Sequence, residues 1–297
     1  MSRVYDALRQ SELETGIAPA LLDPDTFLSQ PIPAEPTDNL SNWPPAQEAA
    51  DQGGTASLAW GEIRSIPSVV GEQSRIITLS DSDALGSEKF RLLRARLRNM
   101  RERRSLQKLV ITSAVPNEGK SFVAMNLAVC LAKQADEKVL LLEGDLRKPT
   151  IGEQLAIRDL PGIGEWASGD GAPSKFLYRF DGLQLWVLPA GSAPENPVTI
   201  LQSSRFLDLY RQLSICFDWI IIDAPPLLPM ADVSFWSRHA DGLLLVVREG
   251  KTPKMVLQKG LETLDNPKLV GVVLNDAHDV NNSYYHRYYH VKKKDSK

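Results

Sequence analysis

The residues with the plainest chemical potential are Gly119, Lys120 and Ser121, which complete an A-x-x-x-x-G-K-S pattern starting at Ala114. The pattern sits between an apolar run, KLVITS, and a helical one, SFVAMNLAVCLAKQ. Strand, loop, then helix is the context in which backbone N–H groups cradle phosphates at a helix N-terminus. Asn117, Glu118, Gly119, Lys120, Ser121 and Phe122 are therefore the expected phosphate contacts. Lys120 should reach the β and γ phosphates of a nucleoside triphosphate, and the Ser121 hydroxyl should ligate Mg2+. Ala114 stands where a glycine is usual, and Asn117 where a further one is common. Asparagine enters the left-handed backbone region more readily than most residues, so the loop tolerates it.

Carboxylates follow two other apolar runs. KVLLL leads into Glu143, Gly144, Asp145, Leu146, Arg147, Lys148 and Pro149, and DWIII ends in Asp223 before Ala224, Pro225 and Pro226. In a parallel sheet the carboxyl ends of neighbouring strands meet at the crevice where ligands bind, so all three acids should converge on the phosphate loop. Asp223 fits a Walker-B role at magnesium. Asp145 fits organisation of the same cation or acceptance of a proton from an attacking hydroxyl, with Glu143 as a second candidate base. Arg147 and Lys148 either neutralise a transferring phosphate or line a solvated loop.

Such groups need a scaffold that brings strand ends together. Continuous Val/Ile/Leu runs alternate with helical patterns from residue 108 onward, ending in LVGVVLND. Strands without polar alternation are buried on both faces, which predicts an α/β fold with a mostly parallel, doubly wound sheet. Ahead of it, Phe90, Leu93, Leu97 and Met100 recur at helical spacing, opposite an arginine-dense face. We therefore place the domain at 83–279, after a short helix over 1–15 and a mostly disordered linker over 16–82 rich in Pro, Ala, Gly, Ser and acids. Short extended pieces are expected near 58–63 and 75–79. Residues 280–297 form a tyrosine-rich basic tail.

Composition excludes several classes. No apolar stretch is long enough for a membrane span, and the N-terminus lacks the apolar core of a secretory signal. Cys130 and Cys216, in apolar neighbourhoods without metal spacing, read as buried free thiols suited to a reducing cytoplasm. Residues 1–87 carry 13 acidic and 4 basic side chains, whereas 88–108 carry 2 and 9, which points to interaction surfaces rather than uniform solvation. Neither the basic helix nor the Lys292–Lys294 run has a base-reading pattern, so no nucleic acid is expected. His286 and His290 read as solvated side chains.

Taken together, AVPNEGKS, LLLEGDLRKP, IIIDAPP and the tyrosines at the C-terminus resemble the bacterial tyrosine kinases of capsule and exopolysaccharide synthesis, of the cytoplasmic CpsD/CapB type. The resemblance spans roughly residues 83–290. It implies a P-loop NTPase fold related to MinD and ParA, with ATP and Mg2+ as cofactors. It also implies autophosphorylation in trans of Tyr284, Tyr285, Tyr288 and Tyr289. Glu88, Arg91 and Arg94 match the family's E-x-x-R-x-x-R motif, which implies a homo-oligomeric ring, with an octamer as candidate size. Asn275 falls near the family's adenine-side position. Where the family usually has aspartate as the first acid of the second motif, this chain has Glu143, which shifts the oxygen of a proposed base.

The implied partners are a membrane-embedded polysaccharide co-polymerase that activates the kinase, protein-tyrosine substrates and a cognate phosphatase. Recruitment to the inner face of the cell membrane would run through the first of these. The competing readings are a ParA/MinD-like ATPase switch and an ATP-binding scaffold that transfers nothing. Switch relatives carry an extra lysine early in the loop, and SAVPNEGKS has none before Lys120.

Overall fold

The apolar runs form strands because both of their faces find partners. In β6 (Trp219–Asp223), Ile220 and Ile222 pack into one core and Trp219 and Ile221 into the other, all fully buried. The same alternation holds in β2 (Lys108–Ser113) and β3 (Val139–Glu143). The computed structural model describes residues 63–67, 76–80, 85–134, 136–155, 157, 159–169, 171–228, 232–264 and 268–277. They lie in the second of the two units into which the chain divides, Ala56–Lys297.

Eight strands form one sheet in the order β1-β4-β5-β3-β6-β2-β7-β8. The remaining strands are β1 (Arg64–Ile66), β4 (Tyr178–Phe180), β5 (Leu185–Leu188), β7 (Gly242–Arg248) and β8 (Leu269–Asn275). From β5 to β8 every neighbouring pair is parallel, while β4 runs antiparallel to β5 and β1 parallel to β4. One face is covered by α1 (Ile77–Ser80), α2 (Leu85–Arg101) and α3 (Lys120–Ala132). The other carries α5 (Ile163–Ser168), α6 (Pro197–Leu201), α7 (Ser204–Cys216), α8 (Asp232–His239) and α9 (Lys254–Glu262). Between β3 and α5 lies one further turn of helix, α4 (Ile151–Gln154). This is the doubly wound architecture the sequence predicts.

Helix α2 uses the face expected of it. Phe90 and Leu97 are buried, and Leu93 and Met100 pack partly against the same core. Helix α3 is buried almost all round because it lies between α2 and the sheet, which is why its sequence is apolar at every turn.

Two pieces of the expected linker belong to the fold. The extended piece anticipated near 58–63 falls almost wholly outside the described residues; the strand β1 starts just after it, at Arg64, and pairs with β4. The one anticipated near 75–79 is helical over Ile77–Ser80 instead. Its conformation is set from outside: Ile76 is buried in the core, and both Thr78 N–H and Oγ1 donate to Asn126 Oδ1 of α3 at 3.2 Å. The short N-terminal helix, most of the linker and the tyrosine tail, with His286 and His290, lie outside the described residues. Among the described residues no helix is long and apolar enough to cross a membrane. Cys130 is buried as expected, but Cys216, at the end of α7, is only partly so.

Candidate active site

Strand order decides which side chains meet. Because β6 lies between β3 and β2, Asp223 pairs in register with Glu143 on one side and Ile111 on the other. Adjacent strands are about 4.8 Å apart, so the acids after β3 and β6 lie within a side chain's reach of the loop after β2. The loop enters α3 through two left-handed residues, Asn117 at φ 66° and Gly119 at φ 94°. The first amides of α3, which follow this turn, have no partners within the helix.

Lys120, Asp145 and Asp223 come together there, each less than a tenth exposed. The Lys120 ammonium lies 3.0 Å from Asp145 Oδ2 and 3.5 Å from Asp223 Oδ1. Burial works to lower the lysine pKa, but Asp223 and Asp145 outweigh it and hold the group above its ordinary value. Burial pushes the Asp223 carboxyl up, and Lys120 offsets only part of that. Ser121 Oγ accepts a hydrogen bond from Thr150 Oγ1 at 2.9 Å, and Asp145 Oδ1 accepts one from the Lys148 amide at 3.1 Å.

The other Asp223 oxygen, Oδ2, is fully buried and has no hydrogen-bond partner among the described residues. An orphaned carboxylate oxygen is costly unless something binds it. Beside the Asp145 carboxylate and the Ser121 hydroxyl it makes a hard-oxygen set of the kind magnesium takes. The residues present therefore fit Mg2+.

Glu143 behaves differently from its neighbours. Oε1 accepts the amides of Thr150 and Ile151 at 2.6 and 2.5 Å, and Oε2 accepts that of Ala190 at 2.9 Å. Both oxygens are thus committed to backbone donors, tying the start of α4 and the loop after β5 to the end of β3. Burial raises the carboxyl pKa against the pull of these amides. Gly144 is required next to it, because a Cβ there would lie 2.9 Å from the Trp236 ring.

The other expected positions divide. Phe122 turns its ring to Phe90, with centroids 5.9 Å apart, and so packs α3 against α2. Arg147 forms a two-pronged pair with Asp232 at the start of α8, while the Lys148 side chain is exposed. On α2, Arg91 pairs with Glu88 at 2.6 Å, and Arg94 donates to the Cys130 carbonyl at 2.9 Å. Arg94 is therefore occupied in holding α2 to α3. Asn275 Nδ2 donates to the Glu118 carbonyl at 2.8 Å, on the phosphate loop itself. Thr150 and the duty of the Glu118 carboxylate were not anticipated; Ser121 is 29 positions from the first, and Arg248 and Thr252 are 130 and 134 from the second.

Gly119 is fixed twice over. Its backbone is left-handed, and a Cβ would fall 2.0 Å from Asn275 Nδ2. Gly119→Ala is expected to lose about 1–2 kcal/mol from backbone strain alone, with a further loss from the displaced Asn275. Denaturant melts would measure it, and unchanged stability would contradict this geometry.

No family model matches the chain. It is 34% identical over 205 residues to the tyrosine-protein kinase YwqD of Bacillus subtilis, covering 68% of this chain and 86% of that one. The chain belongs to the bacterial tyrosine kinase family. Two solved structures show the same architecture. The chimerical protein CapA2B2 is 30% identical with a TM-score of 0.64, covering 71% of this chain and 92% of that one. The kinase domain of the Escherichia coli tyrosine kinase ETK is 27% identical with a TM-score of 0.63, covering 67% and 79%. The fold is that of a P-loop NTPase.

Proposed function

We propose that this chain is an ATP-dependent protein-tyrosine autokinase that phosphorylates Tyr284, Tyr285, Tyr288 and Tyr289 in trans within a ring of its own copies. The observation that carries this reading is Lys120 set between Asp145 and Asp223 at the mouth of a phosphate loop. A lone loop lysine would serve binding; two buried acids beside it supply a cation site and a proton acceptor.

Lys120 and the loop amides hold the β and γ phosphates, with Asn117 to Ser121 wrapped around them. Ser121, Asp223 and Asp145 would hold Mg2+, which when bound neutralises charge on the phosphate oxygens. The tyrosine oxygen attacks the γ phosphorus in line, the bond to the β,γ-bridging oxygen breaks, and ADP leaves. The phenolic proton needs an acceptor, since a phenol ionises near pH 10. Asp145 is that acceptor in our reading, because its Oδ2 is paired with the Lys120 side chain, which phosphate can draw away, whereas both Glu143 oxygens are tied to backbone amides. Glu88, Arg91 and Arg94 would carry the contact between copies, although Arg94 already serves its own α3. Each phosphate adds about 1.5–2 negative charges to a tail holding Arg287 and Lys292–Lys294, and the reversed sign would release it from the neighbour.

The role in exopolysaccharide or capsule assembly rests on the family. A membrane-embedded co-polymerase would activate the chain and hold it at the inner face of the membrane, and a phosphatase would reset it. The test is incubation of the full chain with Mg2+, activator and labelled ATP, beside a tail truncation at residue 280. Label on tyrosine that the truncation abolishes is expected. Free phosphate without labelled protein would favour an ATPase switch.

A further inference from the structure

Behind the phosphate loop lies a set of side chains that cannot touch a nucleotide phosphate directly. Glu118 is 2% exposed although it lies in the loop. Its Oε2 accepts the Val115 amide at 3.0 Å, closing the loop on itself. Its Oε1 accepts the Arg248 amide at 3.4 Å and the Thr252 hydroxyl, which belong to the end of β7 and the turn before α9. The carbonyl of the same residue accepts Asn275 Nδ2 at 2.8 Å, from the end of β8. Glu118 is therefore held by its side chain and by its carbonyl, which turns back toward the end of β8. A peptide whose carbonyl points inward has its N–H pointing outward, toward the phosphate side.

Asn275 itself is fixed from two sides. Its carbonyl accepts the Glu249 amide at 2.9 Å. The next residue, Asp276, takes a left-handed φ of 56° and receives the Arg248 guanidinium at 2.7 and 2.8 Å. The anchored strand end thus commits one N–H of the Asn275 amide to the loop.

We propose that Asn275, the Glu118 carboxylate and Thr252 are positioning residues that fix the Glu118–Gly119 peptide, so that Asn275 serves the triphosphate through that peptide. This rests on the reading of the loop as a nucleotide site. It gives the Glu118 carboxylate the task of holding the loop, and gives Thr252 a role in affinity that its position does not suggest in sequence. Their loss would tilt the loop amides without removing any group that contacts the ligand.

The test measures binding of Mg-ATP and of Mg-tripolyphosphate, which has no base, to the full-length chain, with thermal melts of each variant alongside. Asn275→Ala is expected to weaken both ligands by the same factor, roughly fivefold to tenfold for one lost hydrogen bond to the loop. Thr252→Val, which deletes the hydroxyl beside a buried carboxylate, is expected to weaken both about tenfold, and Thr252→Ser to restore them. A purely structural role would lower the melting temperature without that split between valine and serine. A loss confined to ATP in Asn275→Ala would make Asn275 a base contact and overturn the proposal. Wild-type affinity in Thr252→Val would overturn it as well. No ATP binding by the wild-type chain would remove the nucleotide reading itself, a different failure from either.

Discussion

Replacing Lys120 with methionine is expected to abolish phosphoryl transfer and, separately, to destabilise the fold at neutral and alkaline pH. The first effect follows from losing a side-chain cation aimed at the phosphates, and removal of a single preorganised donor of this kind costs about 10²- to 10³-fold in rate. The second follows from what Lys120 neutralises. Asp145 and Asp223 are 4% and 0% exposed, and removing one partner of a buried ion pair costs about 3–5 kcal/mol by leaving charge uncompensated. Burial already holds the Asp223 carboxyl above its ordinary value. Without the ammonium its folded pKa rises further, so the native state binds the proton that the unfolded state releases. The deficit is then largest above that raised pKa and shrinks as pH falls through it. Melts of variant and wild type in alkaline and mildly acidic buffer would show this convergence. A deficit independent of pH would mean that the two acids are not held by Lys120.

The second large effect separates two carboxylates that the sequence presents as near equals. Asp145→Asn is expected to cut transfer by about 10²- to 10⁴-fold, the range for loss of a general base, while ATP still binds and the fold keeps its Lys120–Asp223 pair. Glu143→Gln is expected to act on stability. An amide NH2 placed where an oxygen accepted backbone N–H groups leaves at least one buried donor unsatisfied, at about 1–3 kcal/mol. Melting curves and labelled-ATP assays on both variants decide it. A stable, inactive Glu143→Gln beside an active Asp145→Asn would reverse the assignment.

The positions of Lys120, Asp145 and Asp223 could be read in the sequence because each follows an apolar run that cannot be other than a buried strand. Sheet topology then forces their ends together. The helical face of α2 was legible for a similar reason, since Phe90, Leu93, Leu97 and Met100 repeat with the helix period. Strands β1 and β4 were not, because three residues each are too few to show a periodicity. Helix α1 was misread as extended because its conformation depends on Asn126, 48 positions away. The same distance problem hid the duties of Glu143 and Glu118. Ala190 is 47 positions from the first, and Thr252 and Asn275 are 134 and 157 from the second. Type and spacing place an acid at a site, but whether it is free to react depends on which amides arrive from elsewhere.

The ammonium of Lys120 is also the internal counterion of the acids that would grip a metal. A divalent ion arriving by itself meets a positive charge already seated there, and a triphosphate arriving by itself meets two negative ones. Only when both arrive can the lysine exchange carboxylate for phosphate while the carboxylates exchange lysine for metal. Thermodynamic reciprocity then requires each to tighten the other's hold by an equal factor. Titrations of the nucleotide with and without the cation should therefore reveal strong positive coupling, and Lys120→Met should strengthen retention of the free cation even as it loses the nucleotide.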